Sequence, residues 1–146
     1  MEPNRFWESI NFFKYTEFSA PEDPESGLLM NHYLVMTLDE LAQITGHQII
    51  VHRNGGYSFK GHSDNSFHYH GMATDFHFGP LRSNKTGDIG PWKLPVREQA
   101  KIILGLGKFG GVGIYPEWKP VPGFHVDVRP GFQVWKNVEG KYLYLF

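Results

Sequence analysis

The sequence predicts a single α+β domain, spanning residues 1–146, with a mainly antiparallel sheet and two or more helices. Three observations carry that prediction. Helical patterns fall early and in the middle of the chain, around residues 37–45 and 95–104. Strand-like runs cluster late, separated by Pro or Gly turns, and strands segregated from helices in this way build α+β sheets. A chain of 146 residues, 40% of them hydrophobic and 16% aromatic, has enough apolar side chain for one substantial core.

Residues 1–36 are rich in aromatic residues and broken by Pro21, Pro24 and Gly27, which predicts short elements and loops wrapping the domain, with Glu22, Asp23 and Glu25 on a solvated loop. Thr37-Leu38-Asp39-Glu40 has the form of a capping box. Leu38, Leu41, Ala42 and Thr45 follow at helical spacing, and Gly46 is placed to end the helix, whose start is open back to Met30. Gln48 to His52 is a β-branched run that reads as a buried strand, followed by a turn at Asn54-Gly55-Gly56 and a polar loop from Tyr57 to Asn65. In Met72 to Phe78, Met72, Thr74, Phe76 and Phe78 share one strand face and Ala73, Asp75 and His77 the other.

Gly79 to Leu94 carries Gly, Pro, Asn and Asp at intervals and predicts a long surface loop, the rim of a cleft. Pro95 opens a second helix, with Val96, Ala100, Ile103 and Leu104 at helical spacing until Gly105 and Gly107. Residues 112–115, 124–128, 132–135 and 142–146 are strand candidates. No internal repeat or linker interrupts this order.

A net charge of −1 gives no electrostatic reason to expect nucleic acid or an anionic membrane as partner; a small neutral or polymeric substrate fits better. The absence of cysteine excludes disulfides and thiolate metal sites, leaving His, Asp and Glu as ligands for a transition metal. No apolar run approaches the roughly 20 residues that span a bilayer, so no membrane insertion is expected. The N-terminal residues lack the basic and apolar regions of a signal peptide.

Ser66 to Asp75 packs His68, His70 and Asp75 into ten residues, a metal-site composition. His68 and Asp75 are seven apart, too far for one helical turn, so a loop carrying His68 must turn at Gly71 into a strand carrying Asp75. A second element has to complete the site. Phe124 to Arg129 alternates strictly, with His125, Asp127 and Arg129 on one face and Phe124, Val126 and Val128 on the other.

The pattern Ser66-x-His68-x-x-Gly71-x-Ala73-x-Asp75, followed by Gly113-Ile114-Tyr115 and Phe124-His125-Val126-Asp127, resembles the zinc peptidases of the M15 family. These are D-Ala-D-Ala carboxypeptidases, murein endopeptidases and phage endolysins, which share a fold with the hedgehog signalling domain. Phe13-Lys14-Tyr15-Thr16-Glu17-Phe18 is similar to a short motif of the branch that contains periplasmic murein endopeptidases. The resemblance spans about Phe13 to Trp135. It implies Zn2+ as cofactor, His68, Asp75 and His125 as its ligands, and peptidoglycan or its peptide fragments as substrate. It also implies a monomer acting at the bacterial cell wall or periplasm, of host or phage origin.

Two imidazoles and a carboxylate leave a zinc ion one open position for water, the pattern of catalytic zinc. The proton acceptor is open. Many M15 enzymes carry Glu or Asp three residues before the last histidine ligand, where this chain has Pro122. Asp127, on the face of His125, is the expected catalytic residue; its alternative roles are to orient a ligand or to pair with Arg129, and Glu117 is the other candidate. Ser66, His70 and Arg53 are the expected substrate-binding residues, with Arg53 standing in a turn that departs from the family's Ser-Gly-Tyr-Arg pattern and offering a planar fork for a peptide carboxylate. His32, His47, His52 and His62 are expected at the surface or in hydrogen bonds, and His77 beside the ligands.

Two other classes compete. Two histidines and a carboxylate also form the facial triad of Fe(II) oxygenases, but no histidine follows His125-x-Asp127, and the two helices contradict a cupin. A metal-binding module that has lost catalysis is the other, kept open by Pro122 and the altered Arg turn.

Overall fold

The structure, a computed structural model, describes residues 3–82 and 92–145. Three α-helices, α1 (Pro3–Glu8), α2 (His32–Thr45) and α3 (Val96–Leu106), accompany six strands. The strands are β1 (His47–Val51), β2 (Ala73–Leu81), β3 (Gly111–Tyr115), β4 (Gly123–Asp127), β5 (Gln133–Val138) and β6 (Lys141–Tyr144). They form one sheet in the order β1-β2-β4-β3-β5-β6. Every pairing is antiparallel except that of β3 with β5. This is the mostly antiparallel α+β domain that the segregation of helices and strands predicts.

The alternation of β2 and β4 decides which sheet face is covered. Thr74, Phe76, Phe78, Phe124 and Val126 are fully buried or nearly so, and with Val112 and Val134 they meet Leu34, Leu38, Leu41 and Ile103 of the helices. The helices therefore occupy one face of the sheet. The opposite face carries Asp75, His77 and His125, and it keeps the polar side chains together because burying them against helices without partners would cost more than burying apolar ones.

α2 starts at Asn31, whose side chain accepts from Leu34 N at 3.0 Å, and ends at Gly46 in the left-handed conformation. The capping box at Thr37 is therefore not used. Thr37 is buried one turn inside the helix, and its hydroxyl donates to Tyr33 O at 2.8 Å. Asp39 instead accepts from Asn11 N and Phe12 N, tying the N-terminal segment to the helix. α3 follows Pro95 and ends at Gly107, as the sequence predicts.

The expected loop from Gly79 to Leu94 is corrected at its start. β2 continues through Gly79 and Pro80 to Leu81, which pairs with His47 of β1. Pro80 fits there because β2 has β4 as neighbour only from Ala73 to Phe76, so its far end has an open side where no amide proton is needed. Residues 83–91 lie outside the described residues. At the other end of that stretch, Trp92 and Leu94 line a separate cavity of about 250 Å³ with Phe78, Val121 and Pro122.

Candidate metal centre

Ser66 builds the first part of the site. Its side chain accepts from His68 N at 3.2 Å and caps a short 3-10 helix, Phe67–His70, which ends at Gly71 with φ 66°. That turn points His68 inward, where it is 2% exposed. With three residues per turn, His70 is rotated away from His68 and is exposed. The chain then reverses at Gly71 into β2, bringing Asp75 under the ring of His68.

The orientation of His68 is fixed by Gly56, whose carbonyl lies 3.0 Å from Nδ1. A carbonyl only accepts, so Nδ1 carries a proton and Nε2 is the nitrogen turned into the site. Nε2 is buried, has no hydrogen-bond partner, and lies 3.3 Å from Asp75 Oδ1. So close a buried approach to a carboxylate oxygen calls for a cation at Nε2, a proton or a metal ion.

Asp75 Oδ1 also lies 3.0 Å from His125 Nδ1, on the neighbouring strand, where Asp75 and His125 are direct partners. The other nitrogen of His125, Nε2, is 2.8 Å from Asp127 Oδ2. Asp127 is fully buried, and Arg129 fills its remaining capacity: the backbone N donates to Oδ1 at 3.1 Å, Nε to Oδ1 at 2.9 Å and Nη2 to Oδ2 at 2.7 Å. Gly111 makes room for this pair, since a Cβ there would stand 2.6 Å from Arg129 Nε.

The electrostatics follow from these contacts. Burial alone would lower the His125 pKa, but hydrogen bonds to Asp127 and Asp75 raise it to about 9. Burial pushes the other way on both carboxylates, yet the same imidazole holds them well below the ordinary range, helped by His68 at Asp75 and by Arg129 at Asp127.

A cavity of about 610 Å³ opens over this cluster, lined among others by His62, Ser66, His68, Asp75, His125 and Arg129. The structure thus brings together His68, Asp75, His125, Asp127 and Ser66. Arg53 and His70, expected to bind substrate, are exposed and are not among the residues that line the cavity. Arg53 lies in the turn that leaves β1 for solvent. Glu117 is also absent from the lining and accepts from Glu139 N at 2.6 Å.

One histidine of the cavity is not legible as such in the sequence. The sequence places His62 at the surface or in a hydrogen bond, and its Nε2 does lie 2.8 Å from Asn54 O. Its ring also stacks on that of His68, 3.9 Å between centroids and 11° between planes. The ligand atoms of His62, His68 and Asp75 all lie within 4.8 Å of one another, a group that could hold a metal ion. No periodicity links His62 to this site, because it stands in an irregular loop six residues before His68.

Comparison with protein-family models, with curated proteins and with solved structures found no match for the chain.

Proposed function

We propose that the chain is a zinc-dependent peptidase of the M15 type, with a hedgehog-like fold, that cleaves peptide bonds in the stem peptides or cross-links of bacterial peptidoglycan. The observation that carries the metal is the buried, unpartnered Nε2 of His68 facing a carboxylate oxygen. Ligand atoms about 2.1 Å from a tetrahedrally held zinc are roughly 3.4 Å apart. The separations of 3.3 and 3.0 Å from Asp75 Oδ1 to His68 Nε2 and His125 Nδ1 are close to that edge.

His125 is the better third ligand than His62. Imidazole lone pairs lie in the ring plane, so two stacked, nearly parallel rings hold them in separate, nearly parallel planes that do not meet at one ion between them. The rings of His68 and His125 instead meet at 73°. A set of two nitrogens and a carboxylate suits zinc, and the chemistry zinc supplies in such a set is acidification of water to a pKa of about 7 and polarisation of a carbonyl.

The chain's own residues have distinct parts in this reading. Asp127 accepts from His125 Nε2 and fixes the ring so that Nδ1 faces Asp75, the usual support of a ligating histidine. Its oxygens are occupied by His125 and Arg129, which makes Asp127 a positioning residue. His62, beside the cluster, is the candidate proton acceptor in this reading. Its Nε2–H donates to Asn54 O, leaving Nδ1 bare, and burial lowers its pKa so that the ring stays neutral.

Metal analysis should give close to one zinc per chain, and mass spectrometry of muropeptides should show peptide cleavage abolished by a chelator. Cleavage indifferent to chelator, or confined to the glycan strand, would count against the proposal. A second reading, a zinc-holding recognition module, is favoured by Pro122 and by the commitment of Asp127 to Arg129; its signature is full zinc with intact muropeptides.

A further inference from the structure

Beside the metal centre the same sheet face changes from polar to aromatic. Asp75, His125, Gly113, Trp135 and Tyr144 are successive partners across β2, β4, β3, β5 and β6, one row from the site to the edge of the sheet. Two residues on, Tyr115 and, as direct partners, Asn137 and Tyr142 share that face. Gly113 is the point of passage. A Cβ there would stand 2.6 Å from Trp135 Cε2, so glycine lets the indole lie across β3 toward His125, 5.3 Å between ring centroids. Trp135 Nε1 then donates to Tyr115 Oη at 3.1 Å, and Tyr115 stacks on Trp118 at 4.1 Å and 15°. All these aromatic rings line the cavity that holds the metal cluster.

We propose that this aromatic trough is a saccharide subsite, taking the amino-sugar strand to which the stem peptide is attached. The polymer's identity rests on the proposed reaction; the preference for a sugar rests on the trough itself. Its side chains are neutral, since Lys136 and Lys141 alternate to the other sheet face, and Arg129 is committed to Asp127 and Gln133. A charged peptide would find no free cation there among the described lining residues. A pyranose ring presents a flat C–H face to the negative face of an aromatic ring, and its hydroxyls find the tyrosine hydroxyls and Asn137. From β4 to β6 the trough spans three strand spacings, roughly 14 Å, long enough for a short oligosaccharide. β6 is the edge strand, so the trough is open-ended, as a polymer requires.

The probe is a β-1,4-linked tetramer of N-acetylglucosamine, which carries no peptide, added to the zinc-loaded protein. It should change tryptophan fluorescence saturably. Tyr142→Ala and Tyr144→Ala, at positions 55% and 64% exposed and so without weight in the core, should each weaken its binding about three- to tenfold. On glycan-linked muropeptides the same variants should raise KM by a similar factor at unchanged kcat, and on free stem peptide they should change neither constant. No saturable response to the tetramer, or an equal loss on free peptide, would overturn the subsite and in the second case make the trough a peptide groove. Because tetramer binding needs no turnover, binding without cleavage would keep the subsite and remove the peptidase reading, while cleavage without tetramer binding would do the reverse.

Discussion

His125 faces a carboxylate with each ring nitrogen, so in the metal-free chain it holds two protons, and the contacts to Asp127 and Asp75 place its pKa at about 9. A metal at Nδ1 must replace the proton there. Zinc uptake at neutral pH is therefore expected to release about one proton per ion, read from calorimetry in buffers of different ionisation enthalpy; uptake with no proton release would remove His125 from the ligand set. Asp127→Ala is expected to weaken zinc about 10- to 100-fold through loss of ring orientation. Measured at saturating zinc, its turnover should fall by less than the 10²- to 10⁴-fold typical of a lost acid–base group. A loss in that range with zinc fully bound would return Asp127 to the role of base.

At the scale of elements, α2 shows both what the sequence discloses and what it does not. Leu34, Leu38 and Leu41 recur at helical spacing and are all fully buried. Leu38→Ala should therefore cost about 2–5 kcal/mol of stability in urea denaturation, and a loss below about 1 kcal/mol would mean that the helix does not pack as described. The helix start was less legible, because a Thr-x-x-Glu pattern satisfies a capping box wherever it occurs, while the choice of Asn31 depends on where the chain leaves Gly71. The strands of the site were legible from alternation alone, since a period of two separates the ligand face from the core face of β2 and β4. Gly79 and Pro80 read as a loop because local preference cannot show that β2 outlasts its pairing with β4. His62 and the aromatic row reach the site only through loop geometry and lateral pairing, and neither leaves a periodic trace in the sequence.

For the molecule as a whole, helices on one sheet face and histidines on the other make stability a function of pH that the metal should reshape. Without metal, His125 has a folded pKa of about 9, above its ordinary 6.5, so its contribution is complete below pH 6.5 and is lost as pH rises through about 9. His52, His62 and His77 are shifted the other way, chiefly by burial, so the folded chain resists protonating them and stability falls as pH drops below 6.5. Asp75 and Asp127 add a further loss in stronger acid, where carboxylates held well below their ordinary range must finally take up protons. The chelated protein should therefore have its highest melting temperature near pH 6.5, with a decline on both sides. In the zinc-loaded protein His125 has already given up its proton, so the decline between pH 6.5 and 9 should vanish, while acid should become more damaging as protons compete with the metal. Melting curves from pH 4 to 10 with chelator and with zinc test this directly. A chelated profile that stays flat from pH 6.5 to 9 would mean that His125 is not held between its two carboxylates, and the assignment of Nδ1 to the metal would fall with it.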